Sequence, residues 1–184
     1  MPDPDFGRTL LALARNAIAT EFGGAASTPP PADENLQHPG AVFVTLTQDG
    51  HLRGCIGSLE AWRPLAVDVR ANALAAAFRD PRFAPLGADE LARTRVEVSL
   101  LSPAEPLHFR DEADALAQLV PEIDGVIFED AGRRATFLPQ VWEQLPSRRV
   151  FMSHLKQKAG LPADWWSPTV RLWRYRVDKW KESE

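Results

Sequence analysis

The chain has 184 residues with a formal net charge of −4, and 45% of its residues are hydrophobic while 25% are charged. This composition is typical of a globular protein with one substantial core or two small ones, and it excludes disorder of the whole chain. The acidic balance excludes a global basic field for nucleic acid or anionic membranes, and the single cysteine excludes an internal disulfide, a cysteine-rich zinc site and an unaided iron–sulfur cluster.

The start of the chain is acidic and leads into an amphipathic stretch, so it lacks the form of a signal peptide. No run approaches the roughly 18 consecutive apolar residues that indicate a membrane-spanning helix. A lone cysteine fits a reducing compartment. These features predict a cytoplasmic protein.

The first two segments are a helix and a loop. Apolar residues recur at spacings of three and four within residues 4–23, which predicts a helix that ends at Gly23 and Gly24. Residues 25–40 are rich in proline and polar residues, which predicts a surface loop. Because the helix alone is too short to fold, we interpret the loop as part of a single domain over residues 1–184.

A hairpin is predicted next. A β-rich run over residues 41–47 is followed by Asp49 and Gly50, and a second extended segment covers residues 51–59. Asp-Gly between two β-rich runs is a strong hairpin signal.

The remaining segments are predicted to alternate between helices and strands. Helices are predicted over residues 64–79, 89–92, 111–119 and 147–159, with a helical turn at Pro139. Strands are predicted over residues 96–101, 125–128, 135–138 and 169–180. Hairpins rather than repeated βαβ units predict an α+β fold with antiparallel sheets.

The only cysteine lies in the segment 52–57, which reads LRGCIG. Gly54 and Gly57 leave the backbone without Cβ atoms, so another group can approach closely. On an extended strand the period of two places Arg53 and Cys55 on one face, where the guanidinium favours the reactive thiolate. Cys55 is therefore a candidate nucleophile. The alternative is an inert core residue, because free cysteines are among the most buried residue types.

Several common catalytic and nucleotide-binding motifs are absent from the sequence. It contains no Walker A loop, no G-x-G-x-x-G, no H-E-x-x-H and no G-x-S-x-G. The four histidines are scattered without metal-ligand spacing, so no metal site is predicted. His154 is a candidate base for Cys55 if the fold brings the two together, and a structural histidine is the alternative.

Two further features carry alternative interpretations. Glu97 projects from the polar face of a predicted strand, where it can pair with Arg53 or form an ordinary surface salt bridge. Residues 170–177 mix cations with aromatic residues, as single-strand nucleic-acid binders do. Because the whole chain is acidic, a half-buried strand explains that pattern better, and nucleic acid is not the expected partner.

Five segments, in this order, resemble the AMMECR domain family, whose bacterial members are called AmmeMemoRadiSam system protein A. The similarity runs from Gly40 to Trp180, with late landmarks at residues 158–161 and 174–175. The segments are FVTL at 43–46, LRGCIG at 52–57, DPRF at 80–83, EVSLLS at 97–102 and LPQVW at 138–142.

The resemblance implies one α+β domain with a core over residues 40–180, in which a larger and a smaller lobe are each built on antiparallel strands. It places the hexapeptide near a cleft between these lobes. It also implies association with a Memo-type protein, related to ring-cleaving dioxygenases, and with a radical SAM protein. It supplies neither an established reaction nor a cofactor.

Our first hypothesis is a binding or accessory component that holds a small anionic ligand or a segment of a partner protein. Guanidinium groups suit carboxylates and phosphates. The rival hypothesis is an enzyme with Cys55 as nucleophile and glycine N–H groups that stabilise negative charge. A third is nucleic-acid binding through the C-terminal strand. The predicted binding residues are Arg53, Gly54, Gly57, Asp80, Arg82 and Glu97, around Cys55.

Overall fold

The computed structural model describes residues 3–24 and 33–183. The chain divides into two compact units, of which the first holds the residues up to Leu101 and those from Asp178 on, and the second holds Ser102–Val177. Part of the predicted proline-rich loop, residues 25–32, lies outside the described residues.

The described residues form helices and strands that agree closely with the predicted segments. Short 3₁₀ helices cover Glu34–Gln37, Ala88–Arg93 and Pro139–Glu143. In chain order the other elements are α1 (Pro4–Glu21), β1 (Ala41–Gln48), β2 (His51–Gly57), α2 (Leu65–Phe78), β3 (Thr94–Leu101), β4 (Glu105–Leu107), α3 (Glu112–Gln118), β5 (Gly125–Asp130), β6 (Arg133–Phe137), α4 (Arg148–Lys158), β7 (Arg171–Tyr175) and β8 (Val177–Lys181).

The first unit is a four-stranded sheet in the order β2–β1–β3–β8, with α1 and α2 packed on one face. Alternate residues of β1 and β3 point to these helices, and Val44, Leu46, Val96 and Val98 are fully buried there. The residues between them point to the opposite face, which is more polar. This alternation is what a sheet with one apolar face requires.

The predicted hairpin at Asp49 and Gly50 is confirmed. Both residues have positive φ, 50° and 78°, as in a type I′ turn, whose twist matches that of the flanking strands. The turn joins β1 to β2 in an antiparallel pair.

The second unit is a sheet in the order β4–β7–β5–β6, with α3 and α4 around a separate core. At the centre of this core Trp142 stacks on Phe151 with ring centroids 3.7 Å apart and planes 4° apart. The Trp142 indole N–H donates to the Asp124 carbonyl at 2.7 Å, so its polar group is satisfied although it is buried. Two antiparallel sheets with flanking helices confirm the α+β class.

The prediction of one strand over residues 169–180 was wrong, because β7 belongs to the second sheet and β8 to the first. The break lies at Arg176, whose N–H donates to Ser102 Oγ at 2.9 Å and whose carbonyl accepts from the Ser102 N–H at 2.8 Å. Alternation of apolar residues continues through this break, so periodicity does not reveal it. The strand β4 was missed because three residues are too few for a pattern.

No helix within residues 3–24 and 33–183 has the length and apolar character needed to cross a bilayer.

The second hairpin offers a test of backbone strain. Ala131 and Gly132 turn between β5 and β6 with φ of 49° and 70°, and an alanine at positive φ costs about 1 to 2 kcal/mol. Ala131→Gly should therefore raise the free energy of unfolding by about 0.5 to 1 kcal/mol, since glycine loses part of the gain through its greater chain entropy. Urea denaturation measures the change. Gly132→Ala should lower stability, and a stabilising Gly132→Ala would contradict the assignment.

Candidate functional site

Cys55 is one of three side chains that form a row across the first sheet. It lies on β2 opposite Thr45 of β1, and Thr45 lies opposite Glu97 of β3. All three are half-buried and point away from α1 and α2. The Thr45 hydroxyl donates to the Cys55 sulfur at 3.2 Å. We call Cys55, Thr45 and Glu97 the Cys55 row; it spans about 10 Å, because neighbouring strands lie about 4.8 Å apart.

The outer edge of β2 is capped at Cys55 by Asp80 and Arg82, from the turn that follows α2. The Cys55 N–H donates to Asp80 Oδ2 at 2.9 Å, and Arg82 Nη2 donates to the Cys55 carbonyl at 3.3 Å. Arg82 also donates to both Asp80 oxygens, at 3.0 and 2.7 Å. The ion pair thus occupies the place that the backbone of a further strand would take, which protects the edge.

At this edge of the sheet, Asp80 and Arg82 hold each other in their charged forms. The hydrogen bond from Arg82, helped by the Cys55 N–H, holds the pKa of Asp80 well below its usual range although burial opposes the shift. The pKa of Arg82 is raised, chiefly by Asp80 and least by the nearby Cys55 sulfur. Arg82 is therefore the cation beside the thiol. Because Asp80 already binds the Cys55 N–H, this amide is unavailable to stabilise negative charge on a substrate.

A β-bulge interrupts β2 next to Cys55. Leu46 pairs with Gly54 and Thr47 pairs with Leu52, so Arg53 is an extra residue without a partner on β1. The period of two does not hold across such a residue.

Arg53 consequently turns to the other face of the sheet. Its Nε and Nη2 donate to the two oxygens of Glu90, at 3.0 and 2.9 Å. Glu90 also accepts from Gln48 Nε2 at 3.2 Å, and Gln48 lies on the same face as Leu46. The prediction that Arg53 and Cys55 share a face was wrong, and the bulge is the physical reason.

Glu90, on the 3₁₀ helix Ala88–Arg93, is the partner that sequence reasoning missed. The hydrogen bonds from Arg53 and from the Gly87 N–H lower the pKa of Glu90 to about 2, although burial opposes the shift. Arg53 is thus paired with Glu90 and not with Glu97, the pairing considered from the sequence. Among the described residues, the Glu97 side chain has no hydrogen bond or ion-pair partner. The Arg53 Nη1 atom is buried and also has no hydrogen-bond partner there.

The two glycines of the hexapeptide are required by packing inside the first unit. A Cβ on Gly54 would lie 2.1 Å from the Ala76 carbonyl oxygen of α2. A Cβ on Gly57 would lie 2.3 Å from the ring of Phe43. Packing alone therefore explains why both positions hold glycine. A ligand-binding role for the two glycines stays a prediction.

The basic C-terminal run is largely engaged within the second unit. Arg171 pairs with Glu129, and Arg174 Nε lies 4.0 Å from Glu105 Oε2. Tyr175 is buried, and its hydroxyl donates to the Phe137 carbonyl at 3.1 Å. The Arg171 side chain is nevertheless 66% exposed, and nucleic-acid binding through this run stays a prediction.

Other candidate sites lie apart from the predicted residues. His154 lies on α4 of the second unit, and its role as a base stays a prediction. A surface cavity of about 490 Å³ is lined by residues 129–132 and 168–171 of the second unit, and it includes none of the predicted site residues. In the part of the chain that the structure describes, no three histidine, cysteine, aspartate or glutamate side chains are placed to hold a metal ion.

Acid should destabilise the protein through Glu90. Its pKa falls from 4.5 in an unfolded chain to about 2 in the fold, so its contribution is complete above pH 4.5 and is lost as the pH falls toward 2. Glu90→Gln should therefore reduce the drop in the urea midpoint between about pH 6 and pH 3. Glu34→Gln, at an exposed site, is the control. An equal drop in Glu90→Gln and the parent protein would refute this assignment.

The fold and the Cys55 row define an α+β protein of two antiparallel sheets with its single cysteine on a capped edge strand. The chain belongs to the AMMECR1 family, whose family model matches residues 11–180. The resemblance seen in the five sequence segments is thereby confirmed.

Relatives of the chain cover most of its length. A protein of Methanothermobacter thermautotrophicus is 37% identical over 186 residues, which cover 97% of this chain and 95% of the relative. A protein of Thermotoga maritima is 39% identical over 151 residues, which cover 81% and 82% of the two chains. The crystal structure of an uncharacterized protein from Pyrococcus horikoshii matches with a TM-score of 0.80 and 28% identity, covering 98% of this chain and 93% of that one.

Proposed function

We propose that this chain is an accessory binding protein that acts with a Memo-type protein and a radical SAM protein, and that the Cys55 row binds a segment of one of them. The partner classes follow from the resemblance to the AMMECR family, in which the bacterial members belong to the AmmeMemoRadiSam system. The place of binding follows from the geometry around Cys55. The lone cysteine fits a reducing compartment, so we place this action in the cytoplasm.

The observation that supports a binding role is that two ion pairs hold the segments on either side of Cys55 in place. Arg53 holds Glu90 and Arg82 holds Asp80, each through two hydrogen bonds. The lowered pKa values of Asp80 and Glu90 keep both carboxylates ionised at neutral pH, which suits neither to general acid–base catalysis. The arrangement stiffens a surface, as a preformed binding site requires.

A partner segment is better supported than a small anion. Both arginines already hold a carboxylate, so neither guanidinium is free to clamp a phosphate or carboxylate with its full fork.

Calorimetric titration of the full chain with each partner protein from the same organism tests the proposal. Cys55→Leu fills the row with a larger side chain and should weaken binding at least tenfold, whereas Cys55→Ala should bind like the parent. The urea midpoint shows that both variants are folded. Equal affinities of the two variants would refute the site, and failure of the parent to bind either partner would refute the partner assignment.

An enzyme that uses Cys55 as a nucleophile is the second candidate, favoured by the guanidinium of Arg82 beside the half-buried sulfur. Such an enzyme needs thiolate at neutral pH. Its rate of reaction with iodoacetamide should already be maximal near pH 7, whereas an ordinary thiol gains rate up to about pH 9. A rate that still rises above pH 8 would exclude this candidate.

A further inference from the structure

Three exposed apolar side chains of the first unit surround one buried carboxylate. Asp68, on the first turn of α2, is fully buried, and its Oδ1 accepts from the Ser58 hydroxyl at 2.6 Å and from Arg63 Nε at 2.7 Å. Because Ser58 and Arg63 meet at one oxygen atom, the two ends of the loop between β2 and α2 lie close together. Each of these three residues has a large, exposed apolar neighbour in the chain. We call these neighbours the Trp62 patch: Leu59 (47% exposed), Trp62 (70%) and Val67 (50%).

Several contacts fix the position of Trp62. Asp68 Oδ2 accepts from the Val42 N–H at 2.9 Å and from Asn72 Nδ2 at 3.0 Å, which anchors the carboxylate to both β1 and α2. The Arg63 guanidinium that Asp68 holds lies 4.7 Å from the centroid of the Trp62 ring, so it supports the indole. A side chain that is positioned in advance loses less conformational entropy when a partner binds it.

The Trp62 patch has the composition of a protein–protein contact. Apolar residues scattered singly over a surface are ordinary, but contiguous large ones mark interaction sites. Tryptophan and arginine are the residue types that most often dominate the binding energy of interfaces, and here Trp62 and Arg63 are stacked. Apolar side chains of a partner polypeptide are therefore suited to the patch.

The charge beside the patch specifies the partner further. Arg70 lies three residues after Val67 on α2 and hence on the same side of the helix. It is exposed, and no ion pair involves it in the part of the chain that the structure describes. Asp68, the only acidic residue of α2, neutralises Arg63, and Glu60 of the loop has an interaction of its own. The patch is thus bordered by an unpaired guanidinium, which a carboxylate complements.

We propose that the Trp62 patch is a docking surface for an acidic, leucine-bearing segment of a partner protein. The apolar side chains of this segment lie on Trp62 and Val67, and a carboxylate beside them pairs with Arg70. The inference goes beyond the proposed function, because the patch shares no residue with the Cys55 row and its occupant is defined by different chemistry.

Titration of the ¹⁵N-labelled full chain with four short peptides tests both parts of this chemistry. The peptides share an alanine–glutamine sequence, in which two positions are leucine or alanine and two others are glutamate or lysine. The signal of the Trp62 indole N–H is the one that Trp62→Ala removes. The leucine–glutamate peptide should shift this signal saturably and bind at least fivefold more tightly than the leucine–lysine and alanine–glutamate peptides.

Matched variants assign the binding to the patch. Trp62→Ala should weaken the leucine–glutamate peptide at least fivefold, whereas Leu52→Ala, at a 43% exposed side chain outside the patch, should leave its affinity unchanged. Arg70→Gln should abolish the preference for glutamate over lysine, whereas Arg149→Gln, at an exposed arginine of the second unit, should keep it. The urea midpoint of each variant shows that it is folded.

Three results of the titrations would overturn the inference: equal binding of the four peptides, an unchanged affinity in Trp62→Ala, or a preference for glutamate that survives in Arg70→Gln. Sedimentation velocity tests a second copy of the chain as the occupant. Trp62→Ala should sediment like the parent chain. A dimer of the parent that Trp62→Ala dissociates would assign the patch to self-association and would also overturn the inference.

Discussion

Gly54→Ala is expected to lower the free energy of unfolding by about 3 kcal/mol, at the upper end of the usual cost of overpacking a core. The added Cβ would lie 2.1 Å from the Ala76 carbonyl oxygen, which belongs to the backbone of α2 and cannot rotate away. Either α2 or β2 must shift, and both contribute to the buried core of the first unit. Urea denaturation at neutral pH measures the loss.

Cys55→Ala is the matched control for this change, because it alters the next residue of the same strand on the opposite, half-buried face. It should cost less than about 1 kcal/mol. A Gly54→Ala variant as stable as Cys55→Ala would show that α2 does not pack against the hexapeptide as described. The expected result also separates two roles of the hexapeptide, since Gly54 supports the fold while Cys55 faces the candidate site.

Glu112→Gln should destabilise the second unit by about 2 to 3 kcal/mol, because it leaves the buried Lys156 ammonium without a counter-charge. The Lys156 side chain is only 1% exposed, and its Nζ lies 2.5 Å from Glu112 Oε1. The ammonium also lies 5.2 Å from the centroid of the Trp166 ring, a contact that does not replace a carboxylate.

Lys156→Met removes the buried charge itself and should cost less than about 1 kcal/mol, since an apolar chain of similar volume suits the site. Glu112→Gln combined with Lys156→Met should then recover most of the stability that Glu112→Gln alone loses. Chemical denaturation of the three variants supplies the comparison. Additive losses in the double variant would contradict a coupled pair.

Local patterns predicted most of the elements because their causes are local. Asp49 and Gly50 accept the positive φ values of the turn, and apolar residues that recur at spacings of three and four indicate the helices. The local sequence does not show which sheet each strand joins. The alternation of residues 169–180 is the same whether the strand is continuous or passes to another sheet at Arg176, so only the tertiary fold decides between them.

The sequence indicated which residues lie in the same unit as Cys55 better than it indicated which side chains pair with one another. Cys55, Asp80, Arg82 and Glu97 are all residues of the first unit, and three of them are linked by hydrogen bonds. The bulge that turns Arg53 away depends on a register shift that no period-of-two argument detects.

Glu90 could not have been recognised from its local sequence. It lies in a short 3₁₀ helix among other charged residues, and its importance arises only where the fold brings it to Arg53, 37 positions earlier. Lys156 is similar, because its helix is polar on average and nothing in the spacing marks this lysine as buried.

The most direct test of the central claim, that the Cys55 row is a binding surface, uses the fact that the chain has one cysteine. The rate of Cys55 alkylation by iodoacetamide is measured for the parent chain alone and with a saturating amount of the partner protein that binds it. If the partner covers the row, the rate should fall at least tenfold. An unchanged rate while the partner is demonstrably bound would contradict the claim.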